Sequence, residues 1–150
     1  MSHITILEDN YLKDLQKNSY LNLAFEKFLA ERSFSWLKLY HEPKRILGSG
    51  VLQSNLKKYE IVLTYSPFNT FRFDRIYVKD KTIKYNDNIH LYKDMSLCLY
   101  HPIKDKPLFS HIPLYRMIPW ISEWIFFYEE WQKYGVWLGK EIKHNIISEK

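Results

Sequence analysis

Residues 8–31, EDNYLKDLQKNSYLNLAFEKFLAE, carry Leu12, Leu15, Leu21, Phe25, Phe28 and Leu29 at steps of roughly three and four. That is the period of an α-helix. The segment is rich in the helix formers Leu, Glu, Lys and Ala, Glu8 and Asp9 suit its start, and Asn18–Ser19 is a candidate break. The pattern then changes. In SFSWLKLYHE (33–42), Phe34, Trp36, Leu37, Leu39 and Tyr40 stand among polar residues. GSGVLQS (48–54) is short and bounded by glycine, KKYEIVLTYSP (57–67) is β-branched and aromatic and ends in Ser-Pro, and FDRIYVKDK (73–81) is a fourth short run of the same kind. Four such runs at regular spacing, joined by short turns, predict an antiparallel meander.

After residue 81 the regular pattern fades into DKTIKYNDNIHLYKDMSLCLYHPIKDKPLFSHIP, rich in Asp, Asn, Lys and Pro. A loop of this length in a compact domain is commonly functional. PWISEWIFFYEEWQKYG (119–135) returns to helical period, with Pro119 suited to the first turn and Gly135 to the C-terminal cap. Ile121, Trp124, Ile125, Tyr128 and Trp131 form its apolar stripe. Helix, meander, long loop and helix give an α+β arrangement with helices covering a sheet, expected as a single domain over residues 1–150.

Composition narrows the class. Hydrophobic residues at 46% and charged residues at 26% fit a globular protein with a core. The apolar run WIFFY is far too short to cross a bilayer and the N-terminus lacks a basic-then-apolar signal pattern, so a cytoplasmic protein with no membrane partner is expected. The net charge of +5 is spread along the chain without a concentrated patch or a nucleic-acid-binding motif. It reads as a solvated basic surface, and no nucleic-acid partner is expected. Trp120, Trp124 and Trp131 fall at helical spacing and are expected to pack against the core. Trp137, beyond the helix cap, is the better candidate for an interface anchor.

The single cysteine, Cys98, excludes an internal disulfide and zinc sites built on cysteine pairs. Free cysteine is among the most buried residue types, and Cys98 lies between Leu97 and Leu99. As a thiolate it would instead be a nucleophile, with polar Asn88 and His90 upstream as candidate donors to an oxyanion. A hydrolase pairing Cys98 with His90, His101 or His111 is another reading. Cys98-x-x-His101 with His90 or His111 could in principle hold zinc, though no second ligand pair exists. The residues alone leave these open.

The stretch NIHLYKDMSLCL (88–99) resembles the active-site segment of the ubiquitin-conjugating enzyme family, which runs His-Pro-Asn, a nearby Tyr, Asp-Gly and then the catalytic Cys. Asn88-Ile89-His90 occupy the His-Pro-Asn position, Tyr92 and Asp94 match the tyrosine and aspartate, Met95 replaces the glycine, and Cys98 with Leu99 falls at the catalytic spacing. The order of elements over residues 8–135 also resembles the UBC-like fold: N-terminal helix, four-stranded antiparallel meander, active-site loop and C-terminal helices. The resemblance implies a thioester on Cys98. It places His90 where the family uses an asparagine to support the loop and the oxyanion; an imidazole can also donate a hydrogen bond. From the residues themselves, Asn88 and His101 are polar neighbours of the thiol in sequence, His101 orienting an amine, relaying a proton or simply capping the loop, while Asp94 fits a turn role.

The second half, SLCLYHP followed by MIPWISEWIFFYEEWQKYGVWLGKE, is similar to a bacterial subgroup of this fold associated with CBASS antiphage systems. Ile118-Pro119-Trp120, Glu123-Trp124 and Trp137-Leu138-Gly139-Lys140-Glu141 carry that similarity. It implies a Cys98 thioester with the C-terminus of a cGAS-like nucleotidyltransferase, or of a ubiquitin-like protein, then transfer to an amine. The acyl group would be activated by a separate activating enzyme, or the protein would be a stand-alone form; no cofactor or metal is expected. The alternative is an adaptor of the same fold that has lost activity, which the His90 and Met95 departures favour.

Overall fold

The computed structural model describes residues 19–67, 74–99 and 112–139. Helix α1 runs Ser19–Ser33; residues 8–18 of the expected helix lie outside the described residues. Its packing reverses what the sequence stripe suggests. Leu21, Phe25 and Phe28 are exposed, while Leu23, Ala30 and the charged Glu26 are buried. Glu26, 8% exposed, faces inward because its carboxylate accepts a hydrogen bond from the Leu114 N–H (3.1 Å) at the start of the second helix.

The sheet is the expected meander. Strands β1 (Leu37–His41), β2 (Ile46–Gln53), β3 (Lys58–Tyr65) and β4 (Asp74–Lys79) pair antiparallel in the order β1-β2-β3-β4. β1 starts later than the pattern at 33 suggests. The Phe34 N–H closes the end of α1 on the Ala30 carbonyl (2.9 Å), and the Leu37 N–H turns back to the Phe34 carbonyl (3.1 Å). Phe34 and Trp36 still pack on the core, but from a turn. β2 gains Ile46 and Leu47 because they pair with Tyr65 and Thr64. Its Gly50 is required by a close approach: a Cβ there would lie 2.2 Å from the Trp36 carbonyl oxygen. Period-two alternation puts Tyr59, Ile61, Leu63 and Tyr65 of β3 on the buried face.

Helix α2 spans Leu114–Tyr134, five residues longer at its start than the Pro119 signal suggests. Pro113 is its N-cap and offers no side-chain bond, so the Glu26 carboxylate serves one of the first-turn N–H groups from another element. A carboxylate also suits the positive end of the helix dipole. The Tyr65 hydroxyl donates to the Ile112 carbonyl (2.6 Å) and ties down the approach. Pro119 sits inside the helix on its exposed side, where water can serve the Tyr115 carbonyl its missing N–H leaves. At the other end Gly135 takes the left-handed cap conformation (φ 76°) and donates to the Trp131 carbonyl (2.7 Å), as its position suggests. Leu114, Met117, Ile118, Ile121, Trp124, Ile125 and Tyr128 form the buried stripe and join the inward sheet residues and α1 in one core. Among the described residues no helix is long and apolar enough to cross a membrane.

Candidate active site

The site is built from a short stretch between β4 and α2. Asn86 opens it: its Oδ1 accepts from the Asn88 N–H (2.8 Å) and caps a single 3-10 turn, Asp87–Ile89. Ile89 is buried, and its carbonyl accepts from the Trp124 indole N–H (2.8 Å). This bond ties the turn to the middle of α2. His90 ends the turn in the left-handed region, φ 57° and ψ 55°. Asn, Asp and His are the side-chain-bearing residues that enter this region most readily. The backbone at this position therefore suits histidine, as it would asparagine.

From His90 the chain makes a tight hairpin. Leu91 and Leu97 pair as an antiparallel bridge. The Met95 N–H bonds to the Tyr92 carbonyl (2.8 Å), and the Tyr92 N–H to the Ser96 carbonyl (2.9 Å). Met95 has φ 73°. This is a three-residue hairpin loop whose third position must be left-handed, the usual place for glycine. Met95 thus adopts a backbone that glycine takes without strain. Asp94 has the turn role expected of it: its Oδ1 accepts from the N–H (2.9 Å) and hydroxyl (2.6 Å) of buried Ser96. Its Oδ2 lies 3.8 Å from Arg75 Nε.

The returning arm is fixed twice. The Leu97 N–H donates to the Ile76 carbonyl of β4 (2.8 Å), and the Cys98 N–H donates to the His90 carbonyl (3.0 Å). The sheet and the turn thus position Cys98 through backbone bonds, and His90 and Cys98 are brought together. Cys98 is 2% exposed and His90 is 5% exposed. The His90 ring lies 5.0 Å from the Trp137 ring, and Trp137 also packs near Trp124 (6.1 Å) and Phe127 (5.8 Å). Trp137, the candidate interface anchor, packs beside His90. The turn at Gly135 brings the chain back over α2, and the indole lies half-buried against the site. Its N–H is buried with no hydrogen-bond partner among the described residues.

Asn88 is exposed, with its backbone N–H engaged by Asn86. His101 and His111 lie outside the described residues. Among the described residues no group of His, Cys, Asp or Glu is arranged to hold a metal ion. Sequence reasoning missed Glu26, which sets the start of α2, and the Ile89–Trp124 bond, which locks the turn. Neither has a local signal, since each partner lies far along the chain.

This arrangement has the element order of a conjugating enzyme, with the lone cysteine at the end of a hairpin that follows the fourth strand. The family model of Type II CBASS E2 proteins matches residues 26–145, which takes in every element of the site. The chain belongs to the Type II CBASS E2 protein family. No curated protein and no solved structure gave a significant match. Membership gives the chain an E2-like role in CBASS antiphage defence and associates it with the other proteins of that system. The α+β order of N-terminal helix, four-stranded antiparallel sheet and C-terminal helix agrees with a UBC-like arrangement.

Proposed function

We propose that this CBASS E2 protein is a conjugating enzyme that carries an acyl group as a thioester on Cys98. The thiolate attacks the carbonyl carbon of an activated C-terminus, an acyl adenylate supplied by a separate activating enzyme. The S–C bond forms, the C–O bond to phosphate breaks and AMP leaves. An amine then attacks the thioester carbon; the C–N bond forms, the C–S bond breaks, and a base or water takes the proton lost from nitrogen. The acyl donor is the C-terminus of the system's cGAS-like nucleotidyltransferase, with a ubiquitin-like protein as the other candidate.

What carries this reading is the placement of the chain's one cysteine. Cys98 is held by backbone bonds to His90 and, through Leu97, to β4, in a chain of an E2 family. His90 acts as a positioning residue through its carbonyl. Asn88, exposed at the same turn, is a polar side chain available to an incoming group, and His101 orients the amine, relays a proton or caps the loop. The test is trapping. Cys98→Lys should collect a thiol-stable conjugate when co-expressed with the nucleotidyltransferase and activating enzyme, and Cys98→Ala should collect none.

A second reading has one observation in its favour. A thiol only 2% exposed must become accessible before it can react, whereas an adaptor needs no accessible thiol. The adaptor reading predicts that Cys98→Ala binds the nucleotidyltransferase and supports defence as well as wild type.

A further inference from the structure

We propose that the groove between the β2–β3 turn and α2 is a docking site for a lysine or arginine side chain of a partner protein. Leu52, Gln53 and Asn55 line it from the strand side, and Ile125, Phe126 and Glu129 from the helix side. On α2, Phe126 and Glu129 lie one turn apart and Ile125 beside them, a different face from the one Trp124 and Trp131 share. The site is therefore separate from the Cys98 region and does not rest on its chemistry.

The volume is about 230 Å³. Pockets for small molecules run roughly 300–1,000 Å³, so this one suits a single side chain better than a cofactor. Its floor is chemically specific. Glu129 Oε2 accepts from the hydroxyls of Ser54 (2.6 Å) and Tyr59 (2.7 Å). Burial first, and then Glu129, push the Tyr59 hydroxyl far above its ordinary pKa, so it stays a donor. The N–H groups of Leu56 and Lys57 donate to Ser54 Oγ and fix the turn that presents it. The carboxylate is thus oriented in advance. Both bonds fall on Oε2, and among the described residues no cation pairs with Glu129. Nearby Lys57 pairs with Asp80 instead.

A carboxylate held by neutral hydroxyls, with no cation against it among the described residues, is complementary in charge to a basic side chain from a partner. The Leu52, Ile125 and Phe126 walls suit the methylene stem that lysine and arginine carry behind their charge. Phe126 is 55% exposed at the groove and Leu56, on the adjoining turn, is 74% exposed. These are apolar surfaces that a partner segment around the basic residue would cover.

The test is an NMR titration of the full chain with a capped leucine–lysine–leucine tripeptide, its arginine counterpart and its norleucine counterpart. The two basic peptides should give saturable shifts at Gln53, Asn55, Phe126 and Glu129, and the norleucine peptide should bind about tenfold or more weaker. Glu129→Gln keeps an acceptor for Ser54 and Tyr59 and should weaken the lysine peptide by about tenfold while the fold's amide spectrum persists. Phe126→Arg places a guanidinium one turn from Glu129 and should abolish peptide binding; this second variant decides the matter if Glu129→Gln unfolds. The proposal falls if neither basic peptide gives saturable shifts at about 10 mM. It also falls if norleucine binds as well as lysine, or if Glu129→Gln or Phe126→Arg binds like wild type. Shifts in the same residues that appear only on concentrating the protein would make the groove a contact between copies and overturn it too.

Discussion

Replacing His90 with alanine, glycine and asparagine separates what its backbone does from what its ring does. The residue sits at φ 57°, where an L side chain costs about 1–2 kcal/mol, while glycine gives up about 0.5–1 kcal/mol of chain entropy. His90→Gly should therefore be more stable than His90→Ala by about 0.5–1 kcal/mol, although glycine has the smaller side chain. The ring has its own share. Its contact with Trp137 at 5.0 Å contributes about 0.5–1.5 kcal/mol, and deleting a buried ring leaves a space that costs about 2 kcal/mol more. His90→Ala should lose about 2.5–3.5 kcal/mol in all, a fall in Tm of roughly 10 °C for a chain this size. Asparagine tolerates the left-handed backbone and keeps part of the volume, so its loss should be about half as large. Urea unfolding followed by tryptophan fluorescence is the assay, because Trp137 lies against the substituted position. If alanine equals or exceeds glycine in stability, residue 90 is not left-handed in solution. If all three variants stay within about 0.5 kcal/mol of wild type, the ring is not packed as described.

Three other outcomes follow from the fold. Gly50→Ala sets a Cβ against the backbone of Trp36, which cannot swing aside, and should destabilise by about 3 kcal/mol or prevent folding, read by thermal unfolding and soluble yield. Glu26→Ala removes the bond to the Leu114 N–H and should cost about 2–3 kcal/mol, whereas Glu26→Gln keeps an acceptor and should cost about 1 kcal/mol, both measured by urea unfolding. At Asp80, burial raises the pKa, but hydrogen bonds from Lys57 and Thr82 outweigh it and hold the carboxyl below its ordinary value of 3.8. That stabilisation is complete above the unfolded-state value and is lost as pH falls through the lower folded-state value. Asp80→Asn should therefore flatten the acid limb of the stability–pH curve in that window while leaving its slope near neutrality unchanged.

The order of elements was legible because alternation and helical period are local properties of the chain. The strands from Leu37 to Lys79 sit close to their sequence patterns, and Gly135 caps the helix it follows. What local reading missed depends on distant partners. Pro119 carries a start signal, yet α2 begins at Leu114 because Glu26, distant in sequence, serves its first turn. The same requirement turns α1 so that Leu21, Phe25 and Phe28 face outward, against the usual reading of an apolar stripe. Trp137 has no periodic neighbours to show that the chain doubles back after Gly135. At the candidate site the spacing of Asn88, His90, Asp94 and Cys98 was readable, and so was the turn role of Asp94. The left-handed backbones at His90 and Met95 were not, because neither residue type demands that conformation. Whether Cys98 is buried was left open by its apolar neighbours, and the hairpin supplies the burial.

The proposed Cys98 thioester is tested most directly by the intact mass of the protein purified after co-expression with the proposed acyl donor, a CBASS nucleotidyltransferase, and a separate activating enzyme. A thioester-linked species should appear, heavier than the E2 chain by the mass of the conjugated protein less one water, linked at Cys98. Excess thiol should release it, and Cys98→Ala should lack it. Unmodified protein alone, or an adduct that persists in Cys98→Ala, would contradict it.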